Sequence, residues 1–333
     1  MSEVLLISQA NVGRLLTVAD CIEVMHDTLI ALAEGRVTLP LRTVIPLPEH
    51  QGAFAAMPAV LRAPDTMGLK AITVYPANEG TLFDSHQGAV LLFEAKHGSL
   101  AAVLDASSIT AIRTAAVTAV ATRALARLDA SVLALIGSGV QAVTHLEAML
   151  AVRPISQVRV HSRSPEHAER FAARVAERHK LTVEVFRTAE SAVRDADIIC
   201  TLTSSPTPVL QGEWISPGAH INAVGASTRN ARELDGIAVQ RSRLFVDRRE
   251  STVNEAGDYL MALEEGRINK DHIVAEIGEV LLGRTSGRTD NDEITLFKSL
   301  GLAIEDVAAA HHIYERACAL PDIPRVNLGG TRS

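Results

Sequence analysis

Apolar and polar positions follow one rhythm in the first third of the chain and another beyond it. After the helix start Thr17 to Asp20, Ile22, Met25, Leu29 and Leu32 recur at spacings of three and four until Gly35, which predicts one amphipathic helix. Strand-like pieces follow at Leu41–Ile45, Leu69–Val74, Ala89–Phe93 and Ala101–Leu104, with Pro, Gly and Asp between them. They predict an antiparallel or mixed sheet. A helix rich in Ala and Thr runs from Ser108 to Leu128, its small side chains suited to close packing. Beyond it, strands at Val132–Ile136, Val158–His161, Val183–Phe186, Ile198–Thr203, Ile221–Val224 and Leu244–Val246 are separated by helical stretches at Gln141–Leu150 and Pro165–Arg178 and by shorter ones later. Strands alternating with helices mean βαβ units and a parallel sheet, hence an α/β fold. A last helix spans Ser299 to Leu320, and the tail Pro321–Ser333 reads as loose.

The 333 residues suffice for about two domains at roughly 150 residues each. With 47% apolar and 21% charged residues, neither disorder nor a coiled coil is expected. One Trp, three Tyr and seven Phe leave no aromatic supply for stacking bases, and the net charge of −7 disfavours polyanions. Neither nucleic acid nor an anionic membrane is expected as a partner. Cys21, Cys200 and Cys318 stand far apart without a C-x-x-C pair, so no disulfide framework or cysteine zinc site can be written. His311 and His312 are adjacent on one helix and point to different sides. No metal site is expected. With no basic stretch ahead of a hydrophobic segment and no apolar run of about 18 residues, a cytoplasmic location is expected.

The sharpest local signal is Gly137-Ser138-Gly139-Val140-Gln141-Ala142, which directly follows a predicted strand and opens a helix. It fits the G-x-G-x-x-G/A dinucleotide turn in the context that gives that motif its meaning. Gly137 would allow the tight turn, Gly139 the approach of a pyrophosphate to the helix N-terminus, and Ala142 close packing of helix on strand. The next strand ends in His161-Ser162-Arg163-Ser164, with no Asp or Glu between Gln157 and Pro165. A carboxylate there would bind the ribose hydroxyls of NAD and repel a 2′-phosphate, whereas a hydroxyl and a guanidinium would bind the phosphate. NADP(H) is therefore the expected cofactor, with NAD(H) as the alternative.

Around this turn the chain resembles the ornithine cyclodeaminase/μ-crystallin family over nearly its whole length. The matching pieces are Leu41-Arg42-Thr43, Met57-Pro58, Gly68-Leu69-Lys70, His86-Gln87-Gly88, the stretch from Ile109 to Ala116, the glycine turn, the stretch from Pro217 to Ser227, and Phe297-Lys298-Ser299-Leu300-Gly301. The resemblance implies a Rossmann-type doubly wound parallel sheet at 114–311. It also implies a second α+β domain, 1–113 with 312–333, for substrate binding and homodimer formation. Arg42, Lys70 and Arg113 would hold the α-carboxylate of a small imino or keto acid, with His86 and Met57 also at the substrate. A cluster of cations would orient the acid's C2 for hydride transfer. Besides the glycine turn with Val140 and Gln141, and Ser162 with Arg163, cofactor contacts are implied at Thr114, at Thr201, Leu202 and Thr203, at Val224 and Ser227, and at Ser299 and Gly301.

Two positions separate chemistries within that family. A cyclodeaminase would carry an Asp where this chain has Ser227 and a Glu where it has Ala55. Without those carboxylates hydrolysis of an imine loses its base, and hydride transfer remains. The expectation is an NADPH-dependent ketimine reductase acting on Δ1-pyrroline-2-carboxylate or Δ1-piperideine-2-carboxylate. The alternatives are reduction of an acyclic imino acid, as by an alanine dehydrogenase or an iminosuccinate reductase, then ornithine cyclodeamination, then non-enzymatic binding of a small molecule. The imine nitrogen must be protonated, by Ser227 or by an ordered water. A Schiff base on Lys70 is disfavoured because nothing near it in sequence argues for desolvation of its amine.

Overall fold

The computed structural model describes residues 3–78 and 81–328. The chain forms two compact units, Met1–Arg113 with Leu302–Ser333, and Thr114–Gly301. The return to the first unit therefore falls at residue 302, ten residues before the expected 312. The reason is that the C-terminal helix belongs wholly to the first unit, where it covers the sheet.

In chain order the first unit begins with β1 (Glu3–Ile7), α1 (Gln9–Leu15), α2 (Val18–Ala33), β2 (Val37–Thr38), β3 (Thr43–Leu47), β4 (Gly52–Leu61), β5 (Thr66–Val74), β6 (His86–Glu94) and β7 (Leu100–Asp105), and α3 (Ala106–Leu125) leads on. The second unit holds β8 (Val132–Ile136), α4 (Val140–Val152), β9 (Gln157–His161), α5 (Pro165–His179), β10 (Val183–Val185), α6 (Ala189–Val193), β11 (Ile198–Thr201) and β12 (His220–Ala223). It continues through α7 (Gly236–Arg241), β13 (Ser242–Val246), α8 (Arg249–Glu255), α9 (Gly257–Glu264), β14 (Ile273–Glu276), α10 (Ile277–Leu281) and β15 (Ile294–Lys298). The chain then closes the first unit with α11 (Ala303–Cys318) and β16 (Arg325–Asn327).

The first sheet runs β16-β1-β7-β6-β5-β4-β2, with β3 also on β4. Among the described residues only β1 and β7 pair in parallel in this sheet, so it is a mixed sheet. The part of the tail at 325–327 is a strand on β1 rather than loose chain. The expectation for residues 329–333 lies outside the described residues. Helix α11 lies on β4, β5 and β6 and packs on α2. Its approach is close: a Cβ on Gly68 would come within 2.9 Å of Val307 and 2.8 Å of the Leu91 carbonyl oxygen. On β5 the buried positions alternate as Thr66, Gly68, Lys70 and Ile72, so a lysine occupies an inward-facing position beneath the helix.

The second sheet is parallel throughout, in the order β10-β9-β8-β11-β12-β15-β13-β14. From β8 the chain first winds one way through β9 and β10, then returns to the other side of β8 with β11 and continues outward. The order thus reverses between β8 and β11. In open α/β sheets that reversal leaves a crevice beyond the carboxyl ends of the two strands, where ligands bind.

Candidate active site

Lys70 sits on β5 opposite Met57 of β4 and Val90 of β6, with 1% of its surface exposed. A buried ammonium needs partners, and it finds two: Nζ donates to Thr110 Oγ1 at 2.6 Å and to Asp306 Oδ1 at 3.0 Å. Arg113, one turn beyond Thr110 on α3, donates from Nε to the same Asp306 oxygen at 3.1 Å and from Nη1 to Glu305 Oε2 at 2.7 Å. Both acids are fully buried in the first turn of α11, where a helix N-terminus favours negative charge. Two of the three cations expected at the substrate, Lys70 and Arg113, are thus brought together, through a pair of carboxylates that sequence reasoning missed. The available signal was two adjacent acids inside an otherwise apolar, Ala-rich helix start.

The charges of Lys70 and Arg113 are balanced by Glu305 and Asp306. Donors nevertheless remain: the third N–H of Lys70 and the Nη2 of Arg113 take no hydrogen bond among the described residues, and Asp306 Oδ2 is buried without one. Burial pushes the Lys70 amine down to about 8, against the pull of Asp306 in the other direction and with the help of the Arg113 charge. The amine is therefore desolvated, contrary to the reading of its sequence neighbourhood. For Arg113 desolvation is outweighed by Asp306 and Glu305, which hold its guanidinium above the usual range. Such a pair can accept one small carboxylate.

The other residues expected at the substrate lie in the same unit. Met57 is buried beside Lys70, and Ala55 lies two residues along on the same face of β4. Arg42 is half-buried in the segment between β2 and β3. His86 opens β6 at the surface, its Nδ1 hydrogen-bonded to Ser85 Oγ at 3.1 Å. Desolvation and the positive charges of Lys70 and Arg113 hold its imidazole below the ordinary histidine value.

In the second unit the glycine turn joins β8 to α4 at the point where the strand order reverses. Gly137 has φ +114°, and a Cβ there would meet the Leu202 carbonyl oxygen at 2.6 Å, so only glycine fits. Gly139 caps α4 without a side-chain partner and faces open space. Ala142 is fully buried, Val140 is 66% exposed beside the turn, and the buried Gln141 Oε1 has no hydrogen-bond partner. An open cradle at a helix N-terminus with an orphaned acceptor beside it fits a dinucleotide. The Gly137 N–H donates to the His161 carbonyl at 2.8 Å, which fixes the end of β9 beside the turn. Half-buried Ser162 and exposed Arg163 follow directly.

The remaining residues expected at the cofactor gather at the carboxyl ends of neighbouring strands. Thr201 ends β11, Leu202 and Thr203 follow it, and Leu202 N–H donates to the Ile136 carbonyl of β8. Val224 follows β12 and donates to the Thr201 carbonyl. Ser227 is half-buried there, and its hydroxyl makes no hydrogen bond among the described residues. Ser299 N–H bonds the Ala223 carbonyl, and Gly301, with φ +78°, turns the chain after β15. Thr114 is buried in α3 at the start of the unit, its carbonyl accepting from the Thr118 hydroxyl. Buried Glu233, Asp247, Asp258 and Lys298 hold these segments and were not foreseen.

The model of the ornithine cyclodeaminase/mu-crystallin family matches residues 2–320. The chain belongs to this family. It is 42% identical to the ketimine reductase mu-crystallin of Mus musculus over 282 residues, 85% of this chain and 86% of that protein. Among solved structures it is similar to the Δ1-pyrroline-2-carboxylate reductase of Thermococcus litoralis in complex with NADH and L-proline. The TM-score is 0.94 at 37% identity, over 98% of this chain and all of the other. It is also similar to an archaeal alanine dehydrogenase dimer with bound NAD, with a TM-score of 0.92 at 31% identity over the same shares. As a member of the ornithine cyclodeaminase/mu-crystallin family, the chain therefore shares its fold with reductases and dehydrogenases across nearly its full length.

Proposed function

We propose that this family member is an NADPH-dependent ketimine reductase that converts Δ1-pyrroline-2-carboxylate or Δ1-piperideine-2-carboxylate to L-proline or L-pipecolate. The broader class, a nicotinamide-dependent oxidoreductase of imino-acid C=N bonds, rests on the family together with the glycine turn. The observation that carries the narrower reading is the buried Lys70–Arg113 pair, with donors left over for a single carboxylate, set on a face where Ala55 stands in place of an acid. Bound dihydronicotinamide would supply the hydride. Lys70 and Arg113 hold the acid by its carboxylate, and Asp306 and Glu305 fix the two cations so that little ordering remains to be done when substrate binds. Met57 and Ala55 give the acid an apolar neighbour and no base for hydrolysis.

Preference for NADPH rests on Ser162 and Arg163 and on the absence of any carboxylate among residues 158–164. The Thermococcus relative was solved with NADH, so the two dinucleotides must be compared directly. The first unit's sheet exposes Val44, Ile45 and Phe54. We read the face that carries the cross-strand pair Ile45 and Phe54 as the one on which a second copy docks, as the alanine dehydrogenase forms a dimer.

Purified protein should oxidise NADPH with either cyclic imine faster than with pyruvate plus ammonia or with iminosuccinate. Faster turnover of an acyclic substrate would move the reading to the alanine dehydrogenase type. Ammonia release from ornithine without ketimine turnover would overturn it.

A further inference from the structure

Beneath the strand-end segments lies a buried charge network of Glu233, Asp258 and Lys298, none of which is itself among the expected substrate or cofactor contacts. Glu233, fully buried, accepts five hydrogen bonds. Its Oε1 takes the Thr203 N–H and the Thr203 hydroxyl, both at 2.7 Å. Its Oε2 takes the Thr201 hydroxyl at 2.8 Å and the N–H groups of Gly225 at 2.6 Å and Ala226 at 3.3 Å. One carboxylate therefore joins the segment after β11 to the segment after β12. No neutral side chain offers acceptors on both sides.

The carboxylate is itself held from behind. Asp258 Oδ1 accepts the N–H groups of Glu233 at 2.8 Å and Leu234 at 2.9 Å, and its Oδ2 lies 2.9 Å from Lys298 Nζ. Lys298 donates in turn to the Ala226 carbonyl at 2.5 Å, which ties β15 to the same segment. The spacing has little slack. A Cβ on Gly225 would stand 2.1 Å from the Thr203 carbonyl oxygen and 2.6 Å from Glu233 Oε1. On its other side the 201–203 segment touches the glycine turn, where Leu202 O limits residue 137 to glycine.

We propose that Glu233, braced by Asp258 and Lys298, is a positioning residue for the dinucleotide, setting the 201–203 and 224–227 segments at the spacing that the glycine turn requires. The inference rests on the dinucleotide reading of that turn and deepens it. In Glu233→Gln the amide NH2 must face backbone N–H donors on one side or the other, so one segment is released. Thr203→Val removes the hydroxyl's contacts, to Glu233 and to the Ser205 N–H at 3.2 Å, while the Thr203 backbone N–H stays on Glu233.

The test is a titration of the full-length protein with NADPH and with NADH, followed by the fluorescence of the bound dinucleotide, alongside thermal melting and steady-state kinetics. For Glu233→Gln the Kd for both dinucleotides should rise about tenfold and for Thr203→Val about threefold, as loss of charge-assisted hydrogen bonds predicts. The KM for the imino acid should stay within twofold, because that acid's proposed ligands lie in the other unit. If Glu233→Gln does not fold, Thr203→Val decides. Variants that bind both dinucleotides as wild type does, whatever their melting temperatures, would overturn the positioning role alone. Wild-type protein that binds neither dinucleotide would overturn the dinucleotide reading and this inference with it.

Discussion

A lysine buried with both an acid and a competing cation titrates on its own terms. Lys70 loses its proton at about 8 rather than 10.5, so its charge is present below that pH and fades as pH rises through it. If the ammonium grips the substrate's carboxylate, kcat/KM for the imino acid should fall above about pH 8 while the Kd for NADPH stays level. Asp306 raises the Lys70 pKa, so Asp306→Asn should move that alkaline limb to lower pH, and a pH profile of kcat/KM checks both statements. Lys70→Met should lower kcat/KM for the imino acid about 10- to 100-fold, the range for one charged hydrogen bond. At the other ligand, Arg163→Ala should raise the Kd for NADPH about tenfold and leave that for NADH within twofold. Equal weakening of both, measured by titration, would remove the 2′-phosphate argument. These residues differ in how legible they were. Arg163 is named by what its neighbourhood lacks, whereas the state of Lys70 depends on Asp306, 236 residues away in sequence.

At the scale of elements, local pattern was sound where one strand or helix could be judged alone and failed where a neighbour decided. Strand β8 ends at Ile136 as its apolar run indicated. Strand β4 was missed because Ala-rich alternation is a weak signal and Pro58 argues against a central strand. The register eases it: β3 pairs with residues 52–56 and β2 with 60–61, so along Met57 to Ala59 β4 has a neighbour on the β5 side alone, an edge-like stretch of the kind that tolerates proline. The last helix begins at Ala303, four residues later than expected. Asp247 accepts the N–H groups of Leu300 and Gly301 at 2.6 and 3.0 Å and keeps that stretch as a turn. The close seating of α11 on β5 also has a measurable cost of disturbance. Gly68→Ala should destabilise the protein by about 1–3 kcal/mol, the usual range for overpacking, read as a lower melting temperature by calorimetry.

At the scale of the whole molecule, the exposed apolar residues of the first sheet matter most. Ile45 of β3 and its cross-strand partner Phe54 of β4 are exposed on one face, an arrangement that favours association. Light scattering after size exclusion should give twice the 35.6 kDa chain mass, and Ile45→Glu should shift the population toward monomer. Among the described residues, no helix is long and apolar enough to cross a membrane. The amino-acid order by itself determined the alternation of strands and helices in the second unit, the glycine turn, and the residue types beside it. Each of these follows from φ preference, side-chain size or periodicity within a few positions. Tertiary structure alone decided that Glu305 and Asp306 would meet Lys70 and Arg113, and that Glu233 would face Thr203 and Gly225. Those encounters depend on sheet order and on helix seating across long sequence separations, and burial then turns ordinary charges into paired, pKa-shifted ones.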